Sequence, residues 1–189
     1  MAEYMPKAVI PRDLILIAQA LQSNNGQTNE PLMATKELKV GDKAPSFTLP
    51  SDGGGTVSLS QLKGNSVVLY FYPKDDTSGC TAEAIAFTKA AKAFKAAGAV
   101  LVGVSKDSAA SHDKFKAKYD LALTLAADED TKVAQAYGVW VEKSMYGRRY
   151  MGTERATFLI DGRGVIRQIW RKVKVPGHAD AVLATVKAL

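Results

Sequence analysis

Cys80 is the only cysteine among 189 residues, and its thiol offers nucleophilic and redox chemistry that no neighbouring side chain can supply. Ahead of it runs Val67-Val68-Leu69-Tyr70-Phe71-Tyr72, an apolar, β-branched and aromatic stretch that predicts a strand ending at Pro73. Polar turn residues follow, and an Ala-rich stretch to about Ala97 predicts a helix. The sulfur is therefore expected in the first helical turn, where unpaired N–H groups and the positive end of the helix dipole favour a thiolate. The alternative is an inert small hydrophobe in the core. Thr77, Ser78, Gly79 and Thr81 frame the thiol with polar groups, and this favours a reactive cysteine over apolar burial.

The elements that must hold such a residue read as a single α/β domain. At 20.2 kDa, with 47% apolar and 23% charged residues, the chain can bury an ordinary core. One cysteine makes no intramolecular disulfide, so the fold depends on that core and a reducing, cytoplasmic setting is expected. No apolar run reaches the roughly 20 residues needed to cross a bilayer, so no membrane partner is expected. The net charge of +6 raises the possibility of nucleic acid. Its cations are spread along helix faces (Lys89, Lys92, Lys95; Lys114, Lys116, Lys118) or along late strands, however, and solvation accounts for most of them. No nucleic-acid partner is expected.

Residues 1–36 read as an extension and linker, with a helical pattern over 11–21 followed by the polar run Ser23 to Asn29. Asp13 and a short apolar core argue against a secretory signal, and Met33 offers a second plausible start. From 37 to 189 the pattern is dense. Phe47 to Leu49 and Thr56 to Leu59 suggest a hairpin around Gly53-Gly54-Gly55. Ala99 to Ser105 reads as a buried strand, then come a helix capped by Ser108 or Ser111, a short strand Leu123 to Ala126 and a short helix halted by Gly138. Strands Arg155 to Ile160 and Val165 to Arg171 flank Asp161-Gly162-Arg163-Gly164, a hairpin signal, and a helix closes the chain from about His178. The prediction is a central mixed sheet flanked by helices, with Cys80 at the carboxyl end of a strand, where open α/β sheets keep their sites.

The string Tyr72-Pro73-x-x-x-Thr77-x-x-Cys80 resembles the active-site signature of the peroxiredoxins, thioredoxin-fold proteins that reduce peroxides with a cysteine. Tyr70 to Asp75 with Gly79-Cys80-Thr81 and Glu83 resembles the bacterioferritin-comigratory-protein, or peroxiredoxin Q, branch. So do Gly41-Asp42-Lys43-Ala44-Pro45-Ser46-Phe47, Phe158-Leu159-Ile160-Asp161 and Lys143 to Gly152. The resemblance spans about residues 37–189. It implies a thioredoxin-like fold and a thiol peroxidase acting on hydrogen peroxide and organic hydroperoxides, with no cofactor or metal. It further implies that Arg155 stabilises thiolate and peroxide, that Thr77 hydrogen-bonds both, and that Pro73 covers the pocket. Without the resemblance Arg155 reads equally as a surface cation, with Arg148 and Arg149 as alternatives in a Gly-flanked loop. Glu83, placed in the first helical turn, is given a structural role with the dipole or an Arg. His112 and His178 lack metal-ligand spacing, and Tyr72, Phe87, Phe94, Tyr137, Trp140 and Trp170 are assigned mainly to the core.

Two departures shape the expected mechanism. Many members of this branch carry a resolving cysteine five residues after the first, where this chain has Ile85, and Ser78 replaces the usual proline of the active turn. The chain thus resembles a one-cysteine type whose sulfenic acid is resolved by an external thiol: thioredoxin, glutaredoxin or glutathione. A monomer is expected. The rival readings are a redox sensor or chaperone-like protein without substantial turnover, and a binder of acidic partners or nucleic acid through the late basic strands.

Overall fold

Five strands form the central sheet because each carries apolar side chains on both faces. The computed structural model describes residues 37–189 except Tyr146, so the expectations for residues 1–36 lie outside the described residues. β1 (Thr48–Pro50) and β2 (Thr56–Ser58) pair antiparallel around a single 3₁₀ turn, as the Gly53-Gly54 pattern requires. β3 (Ser66–Phe71) lies at the centre, parallel to β4 (Ala99–Ser105) and antiparallel to β8 (Ala156–Ile160). β5 (Thr124–Ala127) and β9 (Ile166–Trp170) complete the order β5-β4-β3-β8-β9.

Alternation along β3 separates two cores. Val67, Leu69 and Phe71 join Val102, Val104, Phe158, Ile160 and Tyr137 on one face. Val68, Tyr70 and Tyr72 join Leu101, Leu125 and Leu159 on the other. Helices α1 (Ser78–Ala96), α2 (Ala109–Tyr119) and α4 (His178–Lys187) cover the second face through Phe87, Phe94, Phe115, Val182 and Val186. α3 (Lys132–Ala136) packs Val133 and Ala134 against the first. Gly103 is obligatory in β4. It pairs with Tyr70, and a Cβ there would come within 2.6 Å of the Tyr70 ring.

The sequence reading holds for these elements and misses one pair. β6 (Trp140–Met145) and β7 (Arg148–Thr153) form a separate two-stranded antiparallel hairpin where a Gly-flanked loop was expected. Mixed polar residues and Gly147 and Gly152 hide the alternation there. Arg148 and Arg149 are exposed residues at the start of β7, and Arg149 faces Glu142 at 3.5 Å.

Candidate active site

The turn between β3 and α1 is fastened from below by Asp75. Its carboxylate accepts hydrogen bonds from the Tyr72 hydroxyl (2.7 Å) and the Ser111 hydroxyl (2.8 Å), and it pairs with His112 Nδ1 at 2.9 Å. Its backbone N–H donates to Asp107 at 2.8 Å. Burial opposes the Asp75 charge, but the bonds from His112 and Tyr72 outweigh it and hold the carboxyl below its usual range. Asp76, with φ +57°, accepts from Lys118 and Tyr119. The turn is thus held to α2 at two successive residues.

Thr77 is the N-cap of α1 by its extended backbone, and Cys80 is the third helical residue. Cys80 is 2% exposed and packs among Tyr70, Tyr72, Ala84 and Phe87, so the expectation against apolar burial is corrected. The polar residues Thr77 and Ser78 lie on the solvent side while the sulfur turns inward. Arg155, between β7 and β8, reaches it there: Nη2 donates to Cys80 Sγ at 3.3 Å. Nη1 of the same guanidinium pairs with Glu83 Oε2. Glu83 sits in the second turn of α1, not the first, so it cannot serve the dipole. It stands three residues beyond Cys80, on the same face of the helix. Burial works against the Arg155 charge, but Glu83 and Cys80 more than compensate and raise it. A Cβ on Gly79 would meet Arg155 Nη2 at 3.4 Å, so glycine leaves room for the guanidinium.

The structure thus brings Cys80 and Arg155 together. Pro73 is half-buried on the same turn. The Thr77 hydroxyl donates to the Lys74 carbonyl at 3.1 Å and not to the sulfur.

This arrangement matches known proteins along most of the chain. Residues 40–169 fit the AhpC/TSA family. The chain is 53% identical to a putative peroxiredoxin bcp of Coxiella burnetii over 146 residues, 77% of this chain and 97% of that one. It is 48% identical to peroxiredoxin Bcp of Bacillus subtilis over 150 residues, 79% and 96% of the two chains. A cysteine-to-serine variant of Xylella fastidiosa PrxQ superposes with a TM-score of 0.77 at 39% identity, covering 80% of this chain and 97% of that one. The chain belongs to the AhpC/TSA family.

As a peroxiredoxin it is a thiol-dependent peroxidase on a thioredoxin fold, consuming a peroxide and a thiol reductant. The Arg155 guanidinium stands within hydrogen-bond distance of the Cys80 sulfur. Three nearby residues escaped the sequence reading as contributors. Asp75 lies within the motif, but its bonds to α2 reach residues 36 and 37 positions away. Lys143 on β6 donates to the Thr153 carbonyl at 2.5 Å, with its charge disfavoured by burial and by Arg155. Tyr70 is pushed well up, first by burial and then by the charges of Glu83 and Cys80, and stays a neutral phenol. No residue spacing announces any of these, because each depends on which elements fold around it.

Proposed function

We propose that Cys80 is the peroxidatic thiol of a one-cysteine peroxidase spanning 37–189 and acting on hydrogen peroxide and organic hydroperoxides. The hydrogen bond from Arg155 Nη2 to Cys80 Sγ carries this reading, since it gives the only cysteine a half-buried cationic donor. The thiolate attacks one peroxide oxygen, the O–O bond breaks, and the leaving alkoxide or hydroxide takes up a proton. The products are a Cys80 sulfenic acid and an alcohol or water. Arg155 stabilises the charge as it moves from sulfur to oxygen. Thr77, exposed at the rim, offers a hydroxyl that can turn from the Lys74 carbonyl to a bound peroxide, and Pro73 shields the turn from water.

With Ile85 in the resolving position, an external thiol condenses with the sulfenic acid and releases water. A second thiol then frees Cys80 as the mixed disulfide is reduced. Glutathione, glutaredoxin and thioredoxin are the candidate reductants. A monomer suffices for this cycle, and a reducing cytoplasm would supply the thiols.

Peroxide consumption with each reductant in turn tests the reading. Cys80→Ser is expected to abolish turnover with all three while leaving the fold intact, and residual turnover near wild type would sink the assignment. One equivalent of peroxide without reductant should leave a monomer on non-reducing electrophoresis. A dominant covalent dimer would replace external resolution by a Cys80–Cys80 link.

A further inference from the structure

Glu83 takes no part in the steps above, yet it shares their cation. The residue is 1% exposed, Oε2 holds Arg155 Nη1, and Oε1 is buried with no hydrogen-bond partner among the described residues. Burial penalises the carboxylate and pushes Glu83 up to about 7 despite the guanidinium beside it. The other branch of that guanidinium donates to Cys80 Sγ at 3.3 Å. Two acidic groups therefore meet one cation. In a buried site the second anion finds the cation already partly neutralised and is repelled by the first, as in paired carboxylates.

We propose that Glu83 and Cys80 compete for the single charge of Arg155, so that one proton is held between them and Glu83 is protonated when Cys80 is the thiolate. The inference rests on the reading of Cys80 as the attacking thiol and deepens it. Glu83 is a positioning residue that sets how much thiolate the site holds. The exchange balances within the site: carboxylate plus thiol becomes carboxylic acid plus thiolate, with no net proton drawn from water.

The other groups facing the pair leave the competition intact. Tyr70 on β3 stays neutral, as its burial and both anions dictate. Burial and Arg155 push His178 on α4 down to about 4, so it is uncharged near neutrality. The Lys143 ammonium is committed to the Thr153 carbonyl, and Glu154 pairs with Arg171 at 2.6 Å. Asp75 is held by Tyr72, Ser111 and His112.

Ultraviolet titration of the thiolate, without peroxide or reductant, reads the competition. Glu83→Gln keeps an amide oxygen to accept from Arg155 but carries no charge. The thiolate midpoint is expected to fall by about one unit in this variant, roughly tenfold in the ionisation constant. An unchanged or raised midpoint would overturn the proposal and leave Glu83 an anchor for Arg155. By reciprocity, Cys80→Ser should lower the Glu83 titration by the same amount, followed through the infrared band of its protonated carboxyl. Should Glu83→Gln fail to fold, the serine variant decides alone, and a Glu83 titration equal to wild type overturns the proposal. Neither readout uses peroxide, so a wild type without peroxidase turnover would fault the functional reading and not this coupling.

Discussion

Arg155 is the residue on which the site's electrostatics turn, because its two amino groups divide between Glu83 and Cys80. Arg155→Ala removes the cation beside the sulfur and also leaves Glu83 buried without its partner. The thiolate titration is expected to move up by about 1–3 units, the range for loss of a close opposite charge. The peroxide step should slow on the order of a hundredfold, as when one transition-state donor is lost. Stopped-flow measurement of sulfenic acid formation across pH checks both effects. Full activity in the variant would send the search for the cation to Lys143, a second positive group influenced by Cys80 among the described residues.

At the scale of elements, two helices support the site, and each contributes a buried histidine. α2 grips the active turn through His112, Ser111 and Asp75. Asp75→Ala strands three buried or half-buried groups, and a loss of about 3 kcal/mol or more is expected in urea unfolding. Asp75→Asn, which keeps the shape and an acceptor oxygen, should cost less than alanine. α4 begins at His178, whose Nε2 lies 2.8 Å from the Thr157 hydroxyl on β8 and whose ring meets Phe87 and Trp170 edge-on. Burial first, and Arg155 second, push His178 from 6.5 down to about 4. The folded state therefore holds it neutral where the unfolded chain is protonated. Its contribution is complete above pH 6.5 and is lost as pH falls toward 4, amounting to about 3 kcal/mol. Glu83 works the other way. Raised from 4.5 to about 7, it contributes fully below 4.5 and loses that contribution as pH rises through 7. The difference between wild type and His178→Gln isolates the histidine: the variant should lose less stability between pH 7 and pH 4.5. Parallel pH profiles for the two proteins would refute this.

At the scale of the whole molecule, the family match covers residues 40–169, and the sheet and helices that carry Cys80 and Arg155 lie within 37–189. The catalytic unit is therefore expected to need nothing from the first 32 residues. A chain beginning at Met33 should unfold at the same temperature as the full protein and retain its peroxidase rate. A large fall in either would show that Leu14, Ile15, Ile17 and Leu21 pack on the domain or on a partner.

The strand Val67 to Tyr72, the Ala-rich helix and the Asp161 to Gly164 turn were legible because their signals are local. β-branched runs, helix propensity and turn residues act within a few positions along the chain. Cys80 at a helix start follows from the same local rules. The β6–β7 hairpin was not legible, since polar residues and glycines carry no period to read. Tertiary structure decided that the sulfur faces inward, and that Arg155 serves Glu83 as well as Cys80. It also decided that Asp75 fastens the turn to α2. These contacts join residues 36 to 75 positions apart, apart from the Glu83–Cys80 spacing on α1 itself. Their strength comes from exclusion of water at a place only the folded sheet creates, which no local pattern encodes.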